Sequence, residues 1–290
     1  MILIHLLTAM RPHQWIKNLL VLAALVFSEH LLDPAYTAKS LIALGLFCLM
    51  SGSVYLLNDI RDLDTDRLHP EKRNRPIASG RLPIPVAAAS AFAFAAVAVV
   101  LAFGLNTGLG WVLVAYGVLN LAYSFHLQHV VILDVMIIAG GFLLRAVAGA
   151  FAIGVAVSSW FMLCTLLLAL FMGFVKRRQE ILLLGDGAGD HRRILDEYTP
   201  QFLDQMIAIS TAGALVCYAL YTMSPEVSQR AGTPYLNLTV PFVIYGLLRY
   251  LYLVYMKGLG GNPSLTILRD PSLLINVILW FVTVVVLLYL

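Results

Sequence analysis

The chain has 290 residues, of which 60% are hydrophobic and 12% charged, with a net charge of +3. Soluble domains carry about 25% charged residues, and a soluble globule of this length could not hide so much apolar surface. The balance excludes a disordered chain, a disulfide-built secreted scaffold and an ordinary cytosolic enzyme. It gives no reason to expect a nucleic-acid partner, and it points to a polytopic membrane protein.

Residues 1–10 place apolar side chains at Ile2, Leu3, Leu6, Leu7 and Met10, a spacing that suits a short interfacial helix. With no Lys or Arg ahead of Arg11 and no small-residue cleavage site, a cleaved signal peptide is not expected. A helix needs about 20 apolar residues to cross hydrocarbon. Nine stretches qualify: 14–32, 38–57, 83–103, 108–125, 130–154, 157–175, 204–223, 235–256 and 271–290. Open strands cannot span lipid, and nothing alternates like a barrel strand. The chain therefore reads as all-α, one integral-membrane domain over 1–290 with nine transmembrane helices. The run from Ala87 to Ala98 suits a helix-packing surface. Cys48, Cys164 and Cys217 lie in separate apolar runs and read as small packing residues. Gly185-Asp186-Gly187-Ala188-Gly189 follows no strand, so it reads as a hinge or surface loop rather than a dinucleotide fingerprint.

Fifteen of the 19 Lys and Arg fall in the N-terminal segment and in the loops after spans two, six and eight. Lys39 and Arg230 stand on the other side, and Arg145 and Arg249 lie inside spans. The positive-inside bias puts the N-terminus and those loops in the cytoplasm and the C-terminus outside the plasma (inner) membrane. Carboxylates crowd into the same loops: Asp59, Asp62, Asp64, Asp66 and Glu71 after span two, and Glu180, Asp186, Asp190, Asp196 and Glu197 after span six. Topology requires cations there but not acids, so the excess of both signs on one face is a functional signal.

The stretch from Asn58 to Pro76 is the most informative. At about 100° per residue, Asn58, Asp59, Asp62 and Asp66 fall on one helix stripe, with Arg61 and Asp64 opposite. Packed carboxylates repel, and a divalent cation removes that conflict. Oxygen-only donors suit a hard ion, Mg²⁺ first. Mg²⁺ commonly completes its shell with substrate phosphate, and Lys72, Arg73 and Arg75 follow directly between Pro70 and Pro76. Carboxylates for a metal beside cations for phosphate oxygens read as a diphosphate site facing the cytoplasm. The plainer alternative is a solvated charged loop between two helices.

Other polar positions bear on the same reading. Lys17 at the end of span one is either a snorkelling anchor or a phosphate contact. Tyr123 and Ser124 end span four. Asp134 opens span five, and Arg145 lies eleven residues on, roughly 16 Å deeper on the same face. An Arg at that depth lines a polar cavity or forms a structural pair, and Arg249 in span eight carries the same alternatives. Lys176, Arg177 and Glu180 end span six and form a second candidate phosphate group.

The pattern Asn58-Asp59-x-x-Asp62-x-x-x-Asp66-Arg67-x-His69-Pro70-x-Lys72-Arg73-x-Arg75-Pro76-Ile77-Ala78-Ser79-Gly80 resembles the UbiA superfamily of intramembrane prenyltransferases, and within it the decaprenyl-phosphate phosphoribosyltransferase branch. Arg11-Pro12-x-Gln14-Trp15-x-Lys17-Asn18, Tyr123-Ser124, Leu133-Asp134-Val135, Leu144-Arg145-Ala146 and Lys176-Arg177-x-x-Glu180 are similar to the same branch. The resemblance implies nine helices around a central cavity open to the cytoplasmic side. It implies Mg²⁺-dependent transfer of a phosphoribosyl group from phosphoribosyl diphosphate to a polyprenyl phosphate, with diphosphate released and a lipid product used in cell-envelope biosynthesis. By motif position, Asn58, Asp59, Asp62 and Asp66 would hold the metal. Lys17, Arg67, Lys72, Arg73, Arg75, Tyr123, Asp134, Arg145, Lys176 and Arg177 would bind substrate. Membrane lipid is the third expected partner, and a homo-oligomer is compatible with the chain. Two alternatives are a UbiA-type transfer from prenyl diphosphate to a small acceptor, and a transporter of a phosphorylated solute. Where many superfamily members carry a second Asp-rich motif after span four, only Asp134 stands here.

Overall fold

The computed structural model describes residues 2–184, 193–230, 232–261 and 263–289. The glycine-rich run 185–189 lies outside them, as do Asp186, Asp190 and Arg192 of the charged loop. Among the described residues the chain is all helix. In order, the α-helices are α1 (Ile2–Ala9), α2 (Ala23–Phe27), α3 (Pro34–Arg61), α4 (Leu63–Leu68), α5 (Ile84–Leu105), α6 (Thr107–Phe125), α7 (Leu133–Ile153), α8 (Ser159–Leu184), α9 (Pro200–Met223), α10 (Pro225–Arg230), α11 (Val240–Lys257), α12 (Pro263–Arg269) and α13 (Pro271–Tyr289). Among the described residues eight helical stretches are long and apolar enough to cross a membrane, and they match the second to ninth expected spans.

The stretch 14–32, expected as the first span, differs. It forms a 3-10 helix over Pro12–Leu22 followed by the five-residue α2. A 3-10 helix rises about 2 Å per residue against 1.5 Å for an α-helix, so the same apolar run covers distance with fewer residues. Among the described residues the expected count of nine α-helical spans is therefore not confirmed. The segment packs closely: a Cβ on Gly149 would lie 1.9 Å from the Val21 carbonyl oxygen, so its backbone runs directly against α7.

Polar residues at the ends set the long helices. Asp33 caps α3, its Oδ1 accepting from Ala35 N at 2.8 Å, with Pro34 in the first turn. Thr199 and Pro200 repeat the arrangement for α9. Asn106 both ends α5 and opens α6: its N–H donates to Ala102 O, and its side chain accepts from Gly108 N at 2.8 Å. Gly258 closes α11 in the left-handed conformation, φ 66°.

The chain packs as two compact units. The first comprises Met1–Leu25, His30–Phe125 and Leu144–Ala156; the second comprises Val26–Glu29, His126–Leu143 and Val157–Leu290. In the first unit, Ala87, Ala91, Ala98 and Ala102 of α5 are fully buried, and Ser53 Oγ donates to Ala91 O at 2.6 Å. The alanine run is thus the close-packing surface its sequence suggests, because only small side chains let helix backbones approach so far. Leu6, Ala9 and Met10 bury themselves beside Leu56, Ile77 and Leu82, while Ile2, Leu3, Ile4 and Leu7 of α1 remain exposed. The second unit is built on Phe171, Phe174, Leu203, Ile207, Tyr250 and Leu253. Trp280 Nε1 donates to Tyr218 Oη at 2.8 Å, and that oxygen lies 2.7 Å from Thr239 Oγ1, a polar clip across three helical segments.

Candidate functional site

In the first unit, α3 delivers Asn58 and Asp59 at its C-terminal end. The helix does not continue unbroken. Asp62 adopts φ −87° and ψ 12°, and α4 restarts at Leu63. The four-residue stripe is therefore split. Asp59 and Asp66 are brought together and are almost fully buried, whereas Asp62 pairs with Arg61, Nε to Oδ1 at 2.8 Å. Arg61 was expected on the opposite side, and the break in the helix brings it onto its neighbour. Asn58 Oδ1 accepts from Ser124 Oγ at 2.6 Å, and the Arg61 guanidinium also donates to the Ser124 carbonyl.

The two buried carboxylates share one cation. Arg75 Nη1 lies 3.2 Å from Asp59 Oδ1 and 2.5 Å from Asp66 Oδ2. The Arg11 guanidinium makes a second short ion pair with Asp59 and lies over the Tyr55 ring, 4.9 Å from its centroid. Arg11 sits at φ 55°, a left-handed conformation that is uncommon for a non-glycine residue. Strained backbone that aims a side chain at a buried acid is a mark of a functional site. Both arginines keep about a quarter of their side chains exposed, while each Asp has 3%. The cations form the lid of the cluster and the acids its floor.

This donor set fits a hard divalent ion. Oxygens of Asp59 and Asp66 already converge on a single positive group, and Asn58 supplies a neighbouring amide oxygen. Among the described residues no group of three or more His, Cys, Asp and Glu could hold a metal alone. A bound ion would need oxygens from substrate or water, as Mg²⁺ ordinarily takes.

The remaining cations of this segment are open. Lys72 and Arg73 are exposed on a 3-10 turn over Lys72–Asn74, and Arg67 is exposed, its Nε 3.4 Å from Ala78 O. Lys17 and Tyr123 are half-buried. Arg145, also in the first unit, is buried. Its Nε donates to Asn18 Oδ1 at 2.7 Å and its Nη2 to Tyr116 Oη at 2.8 Å, with the Tyr116 ring 4.9 Å from the guanidinium carbon. Asn18 in turn donates to Ser51 Oγ at 3.1 Å. Arg145 is thus solvated by neutral groups.

The second unit treats its candidates differently. Asp134 has no exposed side-chain surface and pairs with Arg177, Nε to Oδ2 at 2.7 Å. Arg177 also reaches Glu180 at 2.6 Å, and Lys176 lies 3.7 Å from the same carboxylate with half its side chain exposed. Tyr198 Oη donates to Asp134 Oδ1 at 2.6 Å and accepts from Ile132 N at 2.7 Å. Burial first, then the bond to Asp134, pushes that phenol above a tyrosine's ordinary range. Ile132 has φ 69°, strained for a β-branched residue. Asp134 and Arg177 therefore pin a strained turn rather than face open space. Arg249 pairs with Asp270 at 2.7 Å, settling its alternatives on a structural pair.

Arg11, Asn18, Tyr116 and Tyr198 were given no role from the sequence, although Arg11 and Asn18 lie in the quoted run 11–18 and Ser124 was noted beside Tyr123. Tyr116 and Tyr198 carried no signal, lying in an apolar run or far along the chain.

A family model described as the UbiA prenyltransferase family matches residues 18–266. A decaprenyl-phosphate phosphoribosyltransferase of Mycolicibacterium smegmatis is 37% identical over 290 residues, 96% of this chain and 91% of its own. One from Corynebacterium glutamicum is 36% identical, over 98% of this chain and 86% of its own. Among solved structures, a UbiA homolog from Archaeoglobus fulgidus bound to GPP and Mg²⁺ superposes with a TM-score of 0.72, covering 99% of this chain and 100% of that one at 16% identity. At that identity the likeness shows the fold.

Proposed function

The chain belongs to the UbiA prenyltransferase family and is a multi-pass membrane protein, and we propose that it transfers a 5-phosphoribosyl group from phosphoribosyl diphosphate to a polyprenyl phosphate. The observation that carries this reading is the Asp59–Arg75–Asp66 bridge within the long motif, in a chain more than a third identical over its length to proteins with that activity in their names.

Asn58, Asp59, Asp66 and Asp62 would hold Mg²⁺, which when bound supplies positive charge to the diphosphate as it departs. Arg11 and Arg75, already poised on the carboxylates, and the exposed Lys72 and Arg73 supply further charge to phosphate oxygens. The C1–O bond to diphosphate breaks, the diphosphate leaves with the electron pair, and an oxygen of the lipid phosphate bonds to C1. Positive charge develops on the ribosyl carbon, as in other glycosyl transfers. The attacking phosphate is already anionic at neutral pH, so the site needs no strong general base. Lys17, Arg67, Tyr123, Asp134, Arg145, Lys176 and Arg177 remain in the proposed substrate-binding set. Within it, the buried Asp134 and Arg177 would act by positioning. The cation-rich loops and this chemistry belong to the cytoplasmic side, with the N-terminus there too, by charge bias.

The test is direct. Purified protein is incubated with labelled phosphoribosyl diphosphate and polyprenyl phosphate, with Mg²⁺ and with a chelator. Label entering the lipid phase only with Mg²⁺ supports the reading; label remaining in water under both conditions refutes it. A second reading is favoured by the Archaeoglobus neighbour bound to GPP and Mg²⁺: transfer from prenyl diphosphate to a small acceptor. Replacing the donor with a prenyl diphosphate in the same assay separates the two.

A further inference from the structure

A cavity of about 170 Å³ lies wholly within the second unit, lined by Gln179, Leu183, the glycine-containing turn 258–261, Leu265 and Arg269. None of these residues belongs to the carboxylate cluster. All of them sit at helix ends: the last turns of α8, the turn after α11, and α12 directly before α13. A helix of 26 residues rises about 39 Å, longer than a hydrocarbon layer of about 30 Å. Its end, with Lys176, Arg177 and Arg178 just before Gln179, belongs at headgroup level.

Gln179 is 94% buried by its 6% exposure, and its Nε2 donates to Gly258 O at 2.7 Å. Its other polar atom, Oε1, is buried and has no hydrogen-bond partner. Buried acceptors without a donor are rare and unfavourable. The side chain that carries it lines the cavity, so a turn of its amide would bring this oxygen to a hydroxyl held there. Arg269 is exposed and forms no ion pair among the described residues, so it offers a cation to an anion at the rim. Leu183, Leu259 and Leu265 are 73%, 41% and 44% exposed, an apolar margin beside the polar pair. A water takes about 30 Å³, so the space admits a group of several heavy atoms. Water alone would satisfy Gln179 but leave the leucines and Arg269 uncovered.

We propose that this cavity holds the headgroup of a hydroxyl-bearing anionic phospholipid of the phosphatidylglycerol type. Arg269 takes the phosphodiester, Gln179 Oε1 accepts from a headgroup hydroxyl, and the first chain carbons cover the leucines. The inference is independent of the transferase reading, because it concerns retention of a lipid and not turnover.

Native mass spectrometry of the detergent-purified full chain tests it, with phosphatidylglycerol and phosphatidylcholine offered in equal amounts. Wild-type protein is expected to retain phosphatidylglycerol about tenfold more, the scale of one charge-assisted contact. Arg269→Gln removes the preference. Gly260→Ala lowers retention as well, because its Cβ would stand 3.1 Å from Val175 Cγ1 and 3.3 Å from Gln179 Oε1. Should that variant not fold, Arg269→Gln, altered at an exposed side chain, decides alone. Equal retention of the two lipids, or an unchanged preference in Arg269→Gln, overturns the proposal. Displacement of phosphatidylglycerol by equimolar glycerol 1-phosphate overturns it too, since the ligand would then be a soluble phosphate ester.

Discussion

Two aspartate–arginine clusters, built from the same chemistry, differ in what covers them. In the first unit the acids Asp59 and Asp66 are buried, but their partners Arg11 and Arg75 stay about a quarter exposed. In the second unit Asp134 and Arg177 are both sealed, with 0% and 2% exposed side chains, and Tyr198 and Glu180 complete their bonding. A sealed pair cannot exchange its cation without unfolding around it. A pair whose cation lies at the rim can exchange it for a metal ion or yield it to a phosphate. Exposure of the cation, more than the presence of the ion pair, separates a site from a brace.

The largest expected effect breaks the first cluster. Asp59→Ala should lower turnover about 100–1,000-fold, the scale of removing one preorganised electrostatic partner, while size-exclusion profile and melting in detergent stay near wild type. Near-normal turnover would remove Asp59 from the chemistry. Asp134→Asn should act in the opposite column. It puts a neutral amide beside the buried Arg177, which keeps its pair with Glu180, so the loss is bounded by the about 3–5 kcal/mol of breaking a buried pair outright. A large fall in melting temperature is expected, and an unchanged melt with lost turnover would make Asp134 a functional group instead of a brace. Tyr198→Phe is milder, leaving the Ile132 N–H without its acceptor at about 1–3 kcal/mol, read by hydrogen exchange at that amide.

The smallest effect concerns the third pair. The hydrogen bond from Arg249 holds the Asp270 carboxyl below its ordinary value of about 3.9. A lowered folded-state value contributes stability that is fully present above the ordinary value. That contribution is lost as pH falls through the folded one. Melting curves of wild type and Asp270→Asn should therefore differ by a constant amount above about pH 4 and converge below it. A gap that persists in stronger acid would show that the Asp270 charge does not carry the difference.

Eight spans were legible because each is a long apolar run, and hydropathy is a local property. The segment 14–32 was not, because hydropathy does not distinguish a 3-10 from an α-helix, and its close approach to Gly149 joins residues more than a hundred positions apart. Asp59 and Asp66 emerged from helical periodicity. The same periodicity misplaced Asp62 and Arg61, since it assumes a helix that runs through the break at Asp62. Arg11 meets Asp59 across 48 residues, and Arg145 meets Asn18 across 127. Contacts of that range leave no trace in spacing. The Asp134–Arg177 pairing was equally hidden, because burial cannot be read from charge.

One residue separates Leu105 from Thr107, and its amide and side chain are both spent on the two helices it joins. No polar tether remains to hold either span in water while the other has already entered lipid. A corner this tight favours entry of residues 84–125 into lipid as a hairpin. The same corner leaves no slack for an inserted epitope or cleavage tag.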